Sequence, residues 1–127
     1  MLIVKTKIAP SKTSGIGLFA DQFISKGTVV WKFQENFDLL LSKNEIQKLS
    51  EPARKQFYNY AYLDKKYNKY MLCSDDARFF NHSKNFNCDE RIDDITTAVR
   101  DINAGEELLV NYNDFYGDVD NHTEIKT

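Results

Sequence analysis

The chain has 127 residues and a mass of 14.8 kDa, a size that allows one domain with a real core but not two. Its 17 Lys and Arg residues against 19 Asp and Glu give a formal charge of −2, which argues against a protein that binds nucleic acid through a general basic field. Aromatic residues make up 13% and prolines number only two, a composition typical of globular proteins rather than disordered ones.

The start of the chain carries only a short apolar run. The four residues before Lys5 are fewer than the apolar region of a signal peptide needs, and no later stretch reaches membrane-spanning length. We therefore expect an intracellular protein without membrane contact, in which Cys73 and Cys88 are free thiols. The two cysteines and two histidines lie too far apart for a structural zinc site, so we expect no metal.

The first third of the chain has β character. Residues 2–9, LIVKTKIA, predict a strand, and a turn-rich loop around Gly15 and Gly17 follows them. After a turn signal at Lys26 and Gly27, the β-branched and aromatic residues 28–33 predict another strand.

Two helix signals follow from Ser42. Ser42 with Glu45 three residues later is a capping-box pattern, while Ser50 and Pro52 predict the start of a second helix that ends near Tyr60. We therefore expect a helical insert over about residues 42–62. Beyond it, residues 66–74 predict a strand, residues 93–112 a strand, a turn at 103–105 and another strand, and residues 117–127 a frayed tail.

Three stretches of the sequence hold the candidate functional residues: SGIGLFA (14–20), DDARFFNHSKNFN (75–87) and AGEELLVNYNDFY (104–116). Each stretch alone has a purely structural interpretation. A single Gly-x-Gly needs only to form a tight turn, and a histidine beside two phenylalanines is commonly a core residue. The Asn and His side chains of the second stretch can pair backbone N–H and C=O groups that have no partner in a sheet.

In this order and spacing, the three stretches resemble the SET-domain family of protein-lysine methyltransferases. Residues 15–30 look like the family's N-terminal motif, residues 77–87 like its Arg-Phe-x-Asn-His-Ser motif with a following Asn, and residues 104–112 like its Gly-Glu-Glu-Leu motif before the catalytic tyrosine. The resemblance implies a mainly β, SET-domain (β-clip) fold of small curved sheets, with a C-terminal pseudoknot and a short helical insert. It covers nearly the whole chain, so we expect residues 1–127 to form a single SET domain.

The resemblance also implies an activity. The expected reaction is S-adenosylmethionine-dependent methyl transfer to the ε-amine of a lysine in a protein or peptide, with no direct nucleic-acid contact. The alternative is a catalytically silent SET scaffold that binds cofactor or peptide, because Lys84 and Phe86 replace the Cys and Pro that the family often has, while Asn87 is retained. The substrate groove would be completed by the chain's own tail or by a second copy, which makes a homodimer one expectation.

The family's functional residues map onto matching positions of this chain. Tyr112 is implied as the catalytic residue, at the point where cofactor and substrate lysine meet. The substrate channel is implied at Val110, Phe115 and Tyr116, with one insert tyrosine; we favour Tyr60 over Tyr58 and Tyr62. Many members carry Phe or Tyr where this chain has Val110, so we predict room for di- or trimethyl-lysine. The implied cofactor contacts are Gly15, Ile16, Gly17, Arg78, Asn81, His82 and Tyr112.

Overall fold

The structure is a computed structural model, and it describes residues 1–90, 92 and 94–111. The predictions for Tyr112, Phe115, Tyr116 and the tail 117–127 lie outside the described residues.

The described residues form ten short strands in four small sheets: β1 (Thr6–Pro10), β2 (Ile16–Ala20), β3 (Val29–Lys32), β4 (Leu39–Leu41), β5 (Tyr62–Asp64), β6 (Lys69–Leu72), β7 (Asn81–His82), β8 (Cys88–Asp89), β9 (Ile95–Ala98) and β10 (Leu109–Val110). β1 pairs with β2, β3 with β9 and β9 with β8, and β4 with β6 and β6 with β5, all antiparallel, whereas β10 pairs with β7 in parallel. A short 3₁₀ helix over Asp76–Phe79 precedes β7.

Both helices begin at the caps that the sequence predicts. Helix α1 (Lys43–Gln47) has the complete capping box, since the Glu45 N–H donates to Ser42 Oγ at 3.2 Å and the Ser42 N–H donates to Glu45 Oε1 at 2.9 Å. Helix α2 (Glu51–Tyr60) begins after Ser50, whose Oγ accepts the Ala53 N–H at 3.3 Å. In the part of the chain that the structure describes, neither helix is long and apolar enough to cross a membrane.

Two apolar clusters support the sheets around the candidate site. The insert has its own cluster, in which the helices α1 and α2 pack against the β4–β6–β5 sheet around Ile46 and Phe57. The central core takes its residues from β2, β3, β8, β9, β10 and the segments between them. Because these segments are distant in sequence, closing the core also brings the three motifs together. The central core comprises Leu18, Ala20, Ile24, Val30, Cys88, Ala98, Ile102, Leu108 and Val110.

The N-terminal strand is shorter than predicted, because the segment is shared between two sheets. Thr6–Pro10 pairs with β2, whereas Leu2 forms an isolated bridge with Trp31 of β3. The Ile3 N–H donates to the Val30 carbonyl at 2.8 Å, so the first residues lengthen a different sheet. Hydrophobic pattern alone predicts one continuous strand here, since it contains no information on which partner each half pairs with.

The segment after the predicted turn at 103–105 takes its partners from β2 and β7. Gly105 has φ +93°, as the turn requires, but the chain beyond it does not return along β9. The Leu108 N–H donates to the Leu18 carbonyl at 2.8 Å, and β10 then lies parallel to β7, with Leu109 opposite Asn81. This pairing is the described part of the C-terminal crossing that the family resemblance implies.

Candidate functional site

The tip of the β1–β2 hairpin contains the Gly-x-Gly turn. The Ser11 N–H donates to the Gly15 carbonyl at 2.8 Å, and Gly15 has φ +49°, in the left-handed region that favours glycine. Gly17 is required for a different reason, because a Cβ there would lie 2.3 Å from Glu107 Oε2. Gly15 is therefore favoured by its backbone conformation, and Gly17 by the lack of space for a side chain. Contact of either glycine with a cofactor stays a prediction.

Asn81 connects this turn to β7. Its Nδ2 lies within hydrogen-bond distance of the Ser14 carbonyl (3.0 Å), the Ile16 carbonyl (3.3 Å) and Glu107 Oε2 (3.0 Å). An amide nitrogen has two hydrogens, so these three oxygens share them. The bonds that Asn81 makes with the described residues all use Nδ2, so its Oδ1 is the atom turned away from these three oxygens. One side chain thus joins all three motifs.

Glu107 is the acidic member of this cluster. Its two carboxylate oxygens are each 2.8 Å from Ser11 Oγ, and Oε2 also accepts from Asn81. Ser11 Oγ in turn accepts the backbone N–H groups of Thr13 at 2.9 Å and Ser14 at 3.3 Å. Glu107 lies in the Gly-Glu-Glu-Leu motif, but nothing in the sequence pattern connects it with Ser11. Only the register of the segment after Gly105, which places Glu107 opposite Phe19, reveals their contact.

Asn87 fixes the strand that leads to the predicted catalytic tyrosine. Its side chain is buried, donates from Nδ2 to the Glu107 carbonyl at 2.8 Å and accepts the Leu109 N–H on Oδ1 at 2.8 Å. The Ser83 N–H donates to the Val110 carbonyl at 3.0 Å, which secures the end of β10. These bonds define the path of the chain up to Asn111, the residue before Tyr112.

Arg78 and Tyr60, both predicted site residues, lie against each other. The Arg78 Nη2 donates to the Cys73 carbonyl at 3.0 Å, and its Cζ is 5.7 Å from the centre of the Tyr60 ring, a cation–π arrangement. The Tyr60 ring meets Phe79 edge to face, with 5.7 Å between ring centres. His82 is half-buried in β7, where it pairs with Val110 of β10.

The three insert tyrosines point to different surroundings. Tyr58 packs into the insert cluster, edge to face with Tyr70 at 5.3 Å, while Tyr62 packs against the central core. Tyr60 remains 38% exposed. Val110 has no exposed surface and belongs to the central core. The channel roles of Tyr60 and Val110 stay predictions, and those of Phe115 and Tyr116 fall outside the described residues.

Both cysteines are buried free thiols. Burial raises the pKa of Cys88 to about 12, and burial together with the Asp38 carboxylate raises the pKa of Cys73 well above its usual range. A thiol with a raised pKa is a poor nucleophile near neutral pH. Within residues 1–90, 92 and 94–111, no group of three or more His, Cys, Asp or Glu side chains is arranged to hold a metal ion.

Comparison with known proteins gives matches to one kind of domain. Residues 15–113 match the SET domain family model. The chain is 32% identical over 112 residues to N-lysine methyltransferase KMT5A-A of Danio rerio, in a match that covers 79% of this chain. That match spans 33% of the relative, so the chain corresponds to about one third of its length.

Solved structures show the same fold at lower identity. A candidate histone methyltransferase of Plasmodium falciparum superposes with a TM-score of 0.59 at 19% identity, covering 86% of this chain and 93% of the other. A humanized mutant of the Chaetomium thermophilum Polycomb Repressive Complex 2 gives 0.61 at 22% identity, covering 91% and 16%. An autoinhibited ctPRC2 bound to S-adenosylmethionine gives 0.64 at 21% identity, covering 95% and 16%.

The family match begins at the glycine turn and extends past β10. The match therefore includes the turn, Asn81 with its hydrogen bonds, and the strand bound by Asn87. This chain belongs to the SET-domain family.

Proposed function

We propose that this protein is an S-adenosylmethionine-dependent protein-lysine N-methyltransferase. The observation that carries the proposal is the set of hydrogen bonds from Asn81 to the Ser14 and Ile16 carbonyls and to Glu107. These bonds unite three motifs, since Asn81 lies 67 residues after Ser14 and 26 residues before Glu107. The family membership and the name of the Danio rerio relative support the same activity.

The residues around Asn81 suit a ligand with both polar and cationic parts. The turn at residues 12–16 is exposed, so its backbone is open to a bound molecule, and Asn81 Oδ1 offers a hydrogen-bond acceptor. The residues that would hold S-adenosylmethionine are the Gly15–Gly17 backbone, Asn81 and His82, with Arg78 beside them. When bound, this cofactor supplies a methyl group on a cationic sulfur, which an amine can attack directly.

The contribution of the chain is then alignment and control of the amine's charge. A lysine amine with pKa about 10.4 must lose its proton to react, at a cost of about 4 kcal/mol near pH 7.5. An apolar, aromatic channel lowers this cost because it disfavours the ammonium form. Tyr60, packed on Phe79, supplies one aromatic surface beside the site, and the Tyr112 hydroxyl orients the amine.

The substrate class in this proposal is a protein or peptide that presents a lysine, without direct nucleic-acid contact. The balanced overall charge of −2 supports this. We also propose an intracellular location, which agrees with two buried free thiols, and a homodimer in which a second copy completes the substrate groove.

The test is methyl transfer by the purified protein. The protein is incubated with isotope-labelled S-adenosylmethionine and lysine-rich proteins, and labelled lysines are located by mass spectrometry. We expect label on lysine ε-amines, and none when the cofactor is omitted. Cofactor binding by calorimetry without any transfer would instead support the silent scaffold, and the absence of both would contradict the proposal.

A further inference from the structure

The carboxylate of Glu107 lies where the glycine turn, β7 and the strand entering β10 meet. It accepts from Ser11 Oγ on one side and from Asn81 Nδ2 on the other. We propose that Glu107 is a positioning residue for the cofactor site, which acts through Asn81 and the glycine turn rather than on the reacting atoms. The inference rests on the function proposed above and assigns one further residue to its site.

Through its contact with Asn81, Glu107 fixes the orientation of the Asn81 amide and therefore the position of its acceptor, Oδ1. An Asn side chain can present either of its two atoms to a neighbour, and its hydrogen-bond partners decide which. Glu107 Oε2 and the two turn carbonyls are all acceptors, so they fix the donor Nδ2 toward themselves. Asn81 Oδ1 is thereby turned away from the cluster. Without Glu107, the orientation would rest on the two backbone carbonyls alone.

The contact with Ser11 gives Glu107 control over the turn itself. Ser11 Oγ accepts the N–H groups of Thr13 and Ser14, so its own hydrogen is left to donate to the carboxylate. Ser14 is also the residue whose carbonyl binds Asn81. Glu107 therefore closes a ring of hydrogen bonds through Ser11, Ser14 and Asn81. Bonds to an ionised acceptor are the stronger ones, and the described residues place no Lys or Arg in an ion pair with this carboxylate.

Gly17 and Glu107 depend on each other sterically. A Cβ at Gly17 would lie 2.3 Å from Glu107 Oε2 and 2.9 Å from its Cδ, and 3.0 Å from the Ser11 Cβ. The end of a free glutamate side chain could move away from such a Cβ. This one can move only by giving up its bonds to Ser11 and Asn81. Gly17→Ala should therefore weaken cofactor binding in the same way as removal of the Glu107 carboxylate.

The first experiment measures cofactor binding by calorimetry in Glu107→Ala and Glu107→Gln. We expect Glu107→Ala to raise the Kd for S-adenosylmethionine about tenfold or more, because charge-assisted bonds to Asn81 and Ser11 are lost. Glu107→Gln should lose less cofactor affinity. The amide oxygen of the new side chain can still accept from Asn81, but its NH₂ group cannot accept from Ser11. The loss should appear in KM for the cofactor more than in kcat, as for a group that affects binding. Glu106→Ala is the matched control, because Glu106 bonds through its backbone to Asn103 and Ala20.

The second experiment is a double-mutant cycle with Gly17→Ala. We expect Gly17→Ala and Glu107→Ala each to weaken binding, and the double variant to be no weaker than Glu107→Ala alone. Additive losses would overturn the proposal, as would a Glu107→Ala protein that binds cofactor as tightly as the wild type. Circular dichroism verifies folding, and if Glu107→Ala fails to fold, Glu107→Gln decides by the same Kd comparison. A wild type that binds no cofactor would overturn the function itself, an outcome distinct from a wild type that binds and variants that match it.

Discussion

Asn87 forms hydrogen bonds with both the N–H and the carbonyl of Leu109. The Leu109 N–H donates to Asn87 Oδ1 at 2.8 Å, and the Asn87 N–H donates to the Leu109 carbonyl at 3.1 Å. The same side chain donates to the Glu107 carbonyl, so a single amide replaces part of a neighbouring strand. This explains why an asparagine is buried at a position 2% exposed, since each of its polar groups has a backbone partner.

Replacing Asn87 should therefore destabilise the protein. Asn87→Ala leaves the Leu109 N–H and the Glu107 carbonyl unpaired in the interior, at a cost of about 2 kcal/mol or more in the free energy of unfolding. Urea unfolding measures the change. Asn85→Ala is the control, because Asn85 is exposed and its bond within the described part of the chain runs from its backbone N–H to Ser83 Oγ. Equal stability of the two variants would contradict the importance of the Asn87 bonds.

The raised thiol pKa values predict a loss of stability in alkaline solution. In the unfolded chain Cys88 ionises near pH 9, whereas in the folded protein its pKa is about 12. The contribution of the buried thiol to the free energy of unfolding is complete below pH 9. It declines as the pH rises toward 12, because the unfolded state then holds fewer protons than the folded state. The decline should be about 1 kcal/mol per pH unit for this thiol. Unfolding from pH 8 to pH 11 should show a shallower decline in Cys88→Ala; an identical slope would refute the assignment.

Tyr112→Phe should abolish or strongly reduce methyl transfer while cofactor affinity is retained. The prediction comes from the family motif, since Tyr112 lies outside the described residues; the hydroxyl is expected to act on the reacting centre. We expect kcat to fall about a hundredfold or more. Tyr58→Phe serves as control, because it removes a hydroxyl from the insert cluster. Full activity of Tyr112→Phe would exclude a catalytic hydroxyl at this position.

The degree of methylation tests the role of Val110. A valine there offers little bulk and no hydroxyl, so we expect the wild type to carry a lysine to the di- or trimethyl state when cofactor is in excess. Intact-peptide mass spectrometry over a time course gives the answer, and a wild type that stops after one methyl group would contradict it.

The burial of Val110 adds a condition to any substitution there. Its side chain has no exposed surface, so Val110→Tyr would overpack the central core as well as narrow a channel. Such overpacking typically costs about 1–3 kcal/mol, so a shift toward monomethyl-lysine counts only if the variant remains folded. A thermal unfolding curve recorded on the same sample verifies this.

Local signals in the sequence predicted the local elements. The caps at Ser42 and Ser50 located both helices because capping depends on residues within one turn of each other. Strand partners depend on residues far apart, so the local pattern gives no information on the pairing of Leu2 with β3, and the crossing of β10 with β7 is implied only by the family resemblance. The motifs likewise named Asn81 as a site residue, but its contact with Glu107 requires the register that only the folded chain has.

The parallel pairing of β7 with β10 also determines when a nascent chain can first hold a ligand. Residues near 15 leave the ribosome early, yet the bonds that order them come from Asn81 and Glu107, which are made 65 and more residues later. Until Glu107 has been made, the glycine turn therefore lacks the side-chain bonds that connect it to the other two motifs. Any binding that requires the ordered turn must therefore follow the synthesis of Glu107 and β10.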